Sequence, residues 1–175
     1  MEKESEIPRT PALVYGMKRV VLWVLFACLT LAGEGDREAL IAKLVEAGKP
    51  YGLSKTLIAI AKVESNFGQV RVNLQDPSCG VMMIHLKHFL KRYNIEDTPF
   101  KRNLACMQLI KNDELAIAEA VAILEFWKTK HCSKWGCRAE EWLKVWASYN
   151  AGYRWDSKAG KAYALKIKNV IGGLK

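Results

Sequence analysis

The spacing of apolar residues constrains this chain more than any other feature. From about residue 36 onward they recur every three or four positions, and no run of strand length alternates. Leu40, Ile41, Leu44 and Val45 share one helical face, with Asp36 as the expected cap and Gly48 and Pro50 as the stop. Ser54 is the expected cap of a second helix through Leu57, Ile58, Ile60 and Ala61. Residues 68–80, with Asn73, Asp76, Pro77 and Ser78, read as a long loop with room for a short hairpin. Val81 to Ile84 is apolar, and 86–93 reads as a short basic helix. A longer helix over about 112–130 has an Ala-rich apolar surface broad enough to make it the central one. Another is expected over 138–149, with Trp142, Val145 and Trp146 on one side. Asp156 and Ser157 can cap a last helix through Tyr163, Ile167, Val170 and Ile171. The fold class expected is mainly α, compact and single-domain.

Composition narrows the partners. A chain of 175 residues, half of them apolar, can bury a real core and is not disordered over most of its length. The net charge of +9 favours anionic partners. Its Lys and Arg residues are scattered and form no nucleic-acid motif, so nucleic acid is not an expected partner. Anionic wall polymers and lipid headgroups fit the same charge.

The first thirty or so residues read as an address. Met17-Lys18-Arg19 is a basic start, Val20 to Leu31 is an apolar run, and Ala32, Gly33 and Gly35 supply small residues for cleavage. That run is well short of the roughly 20 residues a spanning helix needs. The expectation is an extension and secretory signal over 1–32, with Met17 the true start and a domain over 33–175. An uncleaved signal would be the only membrane contact, and the mature protein is expected to be exported and monomeric. Four cysteines lie beyond the signal: Cys79, Cys106, Cys132 and Cys137. Spacing alone does not choose among their three pairings. The pairing expected is Cys132 with Cys137, around Trp135, leaving Cys79 for Cys106. A zinc site on His131, Cys132 and Cys137 competes, but it lacks the paired spacing of structural zinc sites. No metal or cofactor is expected.

Glu64 is the candidate for chemistry. Leu57, Ile60 and Ala61 precede it by seven, four and three residues, so it continues the stripe that faces the core. Desolvation there disfavours the charged form. The negative end of the helix dipole adds to that effect in the last turn. A glutamate that keeps its proton near neutrality can protonate a glycosidic oxygen.

Glu64-Ser65-Asn66-Phe67, then Gly80-Val81-Met82-Met83-Ile84, then Ser148-Tyr149-Asn150-Ala151-Gly152 resemble the three ordered motifs of the soluble lytic transglycosylases. The resemblance extends over roughly 36–171 and implies a goose-type lysozyme-like fold. It implies that Glu64 is the lone acid/base. Glu64 would protonate the oxygen between N-acetylmuramic acid and N-acetylglucosamine, then deprotonate the muramic 6-hydroxyl as a 1,6-anhydro ring closes. Ordinary glycosidases need a second carboxylate; here the substrate's acetamido group is implied instead. The resemblance places Tyr149 beside the acid and the sugar, Ser65 at the helix end and Asn150 at the turn. Met82 and Met83 fall at the substrate contact, although methionines are more often core. Met83 stands where the family usually has glutamine, and His85, two residues on, could replace that polar contact.

Two alternatives follow from the same residues. A goose-type lysozyme would use water positioned by a carboxylate, with Asp76 the nearby candidate. A catalytically degenerate relative would bind glycan strands for a secretion or conjugation apparatus, and the Met83 departure supports it.

Overall fold

The computed structural model describes residues 35–174. The expected signal over 1–32 and the expected start at Met17 lie outside the described residues. Contacts divide the chain after Ala39. Residues 35–48 are helical (α1), and the body with the site begins at Leu40. A 3-10 turn, Lys49–Tyr51, leads into α2 (Ser54–Ser65). Three two-residue strands follow: β1 (Val72–Asn73), β2 (Ser78–Cys79) and β3 (Ile84–His85). Helices α3 (Leu86–Arg92), α4 (Pro99–Lys111), α5 (Asp113–His131) and α6 (Ala139–Ala151) come next. The 3-10 turn Gly152–Arg154 and α7 (Lys158–Gly173) complete the chain. The class is mainly α, as the periodicity implies.

Helix α5 is the centre of the core, burying Ala116, Ile117, Ala120, Val121 and Leu124 among Leu57, Ile60, Leu109, Val145 and Ile167. Helix α6 packs against α5 and α7, and α2 against α7. That arrangement brings the end of α2 to the side of α7, although a hundred residues of chain separate them.

The helix ends correct several expectations. Helix α1 is already under way at residue 35, so Asp36 sits within it and is not its cap. Ser54 is the first residue of α2, whose cap is Leu53; its hydroxyl donates to Val45 O at 2.8 Å and ties α2 back to α1. Of the two residues proposed for α7, Ser157 caps, accepting from Gly160 N at 3.1 Å. Helix α4 had no counterpart in the periodicity. It buries only Ala105 and Leu109, too narrow a stripe to register. Its signal is local: Thr98 accepts from Lys101 N at 3.3 Å and Pro99 opens the first turn.

The hairpin expected after α2 is a three-stranded antiparallel sheet in the order β1-β2-β3, with Val72 opposite Cys79 and Cys79 opposite Ile84. Strands this short cannot show a period of two. Disulfides join Cys79 to Cys106 and Cys132 to Cys137. Both sulfurs of the competing zinc site are therefore consumed, and His131 Nε2 instead lies 2.9 Å from Ser148 Oγ.

Candidate active site

The end of α2 is unusual in its backbone. Three successive residues after the helix, Asn66, Phe67 and Gly68, have φ of 50°, 60° and 83°. Two of them carry side chains, so the conformation is strained, and such strain is held only where the surroundings dictate it. The Phe67 N–H closes the helix on Ala61 O at 3.0 Å. Ser65, only 1% exposed, holds the bend from inside. Its hydroxyl lies 2.7 Å from Val81 O and 3.1 Å from Ala61 O, and accepts from Gly68 N at 2.8 Å. Glu64 is thereby fixed one residue before the bend and beside the turn after β2.

That turn is anchored from behind. The Cys79–Cys106 disulfide ties β2 to α4 with Cα atoms 5.3 Å apart. Gly80 has φ of 82°, and a side chain there would meet Leu109 O at 2.6 Å, so only glycine lets the turn seat on α4. Arg71 donates to Gly68 O and Ile110 O, each at 3.1 Å, and pairs with Asp113 at the α4–α5 junction. Met83, with φ of 47°, is a further left-handed non-glycine residue at this turn.

Two tyrosines complete the surroundings of the acid. The Tyr163 hydroxyl, from α7, donates to Glu64 Oε1 at 2.6 Å. The Tyr149 hydroxyl, from α6, donates to Met82 O at 2.8 Å. Burial raises the Glu64 pKa from 4.5 to about 7; the Tyr163 hydrogen bond pulls it down, the Asp76 charge raises it and the Lys166 charge lowers it. Burial, and then the negative charge of Glu64, pushes both tyrosine hydroxyls well above their ordinary range, so each stays a proton donor in its hydrogen bond. A carboxyl that is half protonated at neutrality and held by a neutral donor can give a proton and take one back.

The residues singled out from sequence divide into two groups. Ser65 and Met82, expected at the substrate, have buried side chains; Ser65 faces backbone groups and Met82 faces the core. Their contribution is to the frame, through the Ser65 hydroxyl and the Met82 carbonyl. Met83 is half-buried and Asn150 exposed, so both are open to a ligand. Tyr149 is part-exposed, but the hydroxyl that meets the acid is that of Tyr163. Sequence spacing placed Tyr163 only on the apolar face of the last helix. The available signal was a tyrosine on a buried stripe, whose hydroxyl requires a partner. Asp76 is 74% exposed in its side chain and lies 3.1 Å from His85 Nε2. Among the described residues, the buried Nδ1 of His85 has no hydrogen-bond partner.

A groove of about 910 Å³ between α1 and α5 shares no residue with these. On its rim Lys43 pairs with Glu114 at 2.6 Å, and Glu125 pairs with Lys128 just outside it, also at 2.6 Å.

Comparison with curated proteins and with solved structures finds no match. The family model described as the transglycosylase SLT domain matches residues 44–171, which include Glu64, the turn after β2, Tyr149 and Tyr163. The match extends over well more than half of the sequence and over the whole of the site, and the chain belongs to the transglycosylase SLT domain family, whose domains act on peptidoglycan.

Proposed function

We propose that the protein is an exported lytic transglycosylase that cleaves the β-1,4 bond between N-acetylmuramic acid and N-acetylglucosamine without consuming water. Glu64 gives its proton to the bridging oxygen as the bond from that oxygen to the muramic C1 breaks. The resulting carboxylate takes the proton of the muramic 6-hydroxyl as that oxygen bonds to C1 and closes the 1,6-anhydro ring. Tyr163 orients the carboxyl through both steps and steadies its charged form. Ser65 and the Met82 carbonyl hold the frame, Tyr149 braces it, and Met83 and Asn150 lie against the glycan.

The observation that supports this reading is Glu64 itself, a partly buried acid bonded to Tyr163 with its pKa raised to about 7. The other carboxylate whose charge reaches it, Asp76, is largely in solvent and engaged with His85. A second carboxylate poised as nucleophile or water-activating base is what hydrolysis requires. The hydrolytic reading rests on Asp76, because its charge does act on Glu64.

Mass analysis of muropeptides released from purified peptidoglycan separates the readings. Lytic cleavage leaves anhydro ends lighter by one water than hydrolytic ends. Reducing muramic ends would overturn the proposal in favour of the lysozyme. Products unchanged by Glu64→Gln would remove Glu64 from the chemistry.

A further inference from the structure

The C-terminal end of α5 carries a second concentration of chemistry that the Glu64 site does not use. The Cys132–Cys137 disulfide closes a loop whose Cα atoms at the bridge are 4.7 Å apart. Inside it Ser133 Oγ donates to Gly136 O at 3.0 Å and accepts from Trp135 N at 3.3 Å. This braced loop holds Trp135 with 87% of its surface exposed, and Lys134 lies 4.9 Å over its ring. Tyr153, 77% exposed, projects from the turn after α6 and meets buried Trp127 edge-on at 5.0 Å. Trp127 also supports exposed Phe126 at 4.9 Å, and Lys130 sits 5.5 Å over that ring. Among the described residues, Lys130, Lys134 and Arg154 pair with no carboxylate.

A large aromatic left in water and held rigid has already lost the freedom that binding would otherwise remove. Rigid, exposed Trp and Tyr with flanking cations form the composition of a binding surface, not of a solvated face. We propose that this patch is a second peptidoglycan-binding surface, built from residues that the cleavage chemistry does not use. Its rings take the apolar faces of sugars and its cations take the carboxylates of peptide stems. The occupant follows from charge and shape. Three unpaired cations require an anionic partner. Residues 126–138 and 152–155 expose flat rings and no large aliphatic side chain, which suits sugar faces better than acyl chains. The proposal rests on the peptidoglycan reading but not on the lytic mechanism.

The test is co-sedimentation of the full chain with purified, lipid-free peptidoglycan in a Glu64→Gln background. Trp135→Ala and Tyr153→Ala are each expected to weaken binding about tenfold. With Glu64 restored, neither change alters cleavage of a short soluble muropeptide dimer. Trp135 is solvent-exposed, so its removal leaves the fold intact, and an unchanged melting transition verifies that. Stripping the stems with an amidase is expected to abolish the contribution of Lys134, measured with Lys134→Ala. Unchanged sedimentation of both aromatic variants would overturn the proposal. Loss of binding only to phosphatidylglycerol vesicles would overturn it too, assigning the patch to lipid. A wild type that releases only reducing ends, yet binds through Trp135, would sink the lytic mechanism and leave this surface standing.

Discussion

Two glutamates in this protein accept a tyrosine hydroxyl at the same distance, yet they are not equivalent. Glu64 accepts from Tyr163 and Glu119 from Tyr93, both at 2.6 Å. Glu119, on α5, is only 5% exposed, and Arg92 stands 3.4 Å from its other oxygen. Glu64 is less deeply buried but, among the described residues, has no cation within ion-pair distance, only the field of Lys166. Burial by itself therefore does not distinguish a working acid from a structural one. The neighbouring cation does: it makes Glu119 a fastening between α3 and α5, whereas its absence leaves Glu64 able to hold a proton near neutrality.

Breaking this contrast is the most direct test. Glu64→Gln is expected to lower turnover on purified peptidoglycan by at least ~1,000-fold, while Glu119→Gln keeps turnover within about threefold. Comparable losses in the two would erase the distinction. Tyr163→Phe is expected to lower turnover about 10- to 100-fold, the size of a lost hydrogen bond to a charged group. It also moves the alkaline limb of the pH–rate profile upward, because the Tyr163 bond is the larger of the two influences holding the Glu64 pKa down, the other being the Lys166 charge. A limb displaced downward would contradict the geometry. Arg92→Met leaves Glu119 without its cation and is expected to cost about 1 to 3 kcal/mol in urea denaturation, with the active-site pH profile unmoved.

A smaller effect concerns stability against pH. The Glu64 pKa is raised in the folded protein to about 7 from an ordinary 4.5. The extra proton held by the folded state stabilises it fully below about pH 4.5, and that contribution disappears as pH rises through 7. Glutamine imitates the protonated form and escapes the loss. Glu64→Gln is therefore expected to be about 2 kcal/mol more stable than the parent at pH 8 and no different at pH 4. Equal stability at both pH values would show that Glu64 is solvated in the folded state.

The helices were largely legible in the sequence because each buries a stripe that recurs at its own period. Helix α4 escaped because Ala105 and Leu109 are all it buries, and the sheet was legible only as a hairpin in a turn-rich loop because two-residue strands cannot alternate. At the site, the position of Glu64 on the core-facing stripe was readable from local spacing. Tyr163 was not, because nothing local links it to a residue 99 positions earlier. Ser65 and Met82 read as ligand contacts because chemistry-bearing motifs mix contact residues with those that hold the frame. Only burial separates them. The disulfide pairing expected from the short Cys132–Cys137 loop is the one that forms, and the packing of β2 on α4 shows why Cys79 meets Cys106.

The Tyr163–Glu64 bond has a consequence for how activity arises along the chain. A contact across 99 residues forms only when the last helix docks, since long loops close late in folding. Until then Glu64 lacks the Tyr163 hydrogen bond and the enclosure that raises its pKa in the folded protein. No segment of the protein shorter than the span from α2 to α7 contains the acid in its working form. A peptidoglycan-acting domain built this way gains its perturbed acid and its finished fold in the same event.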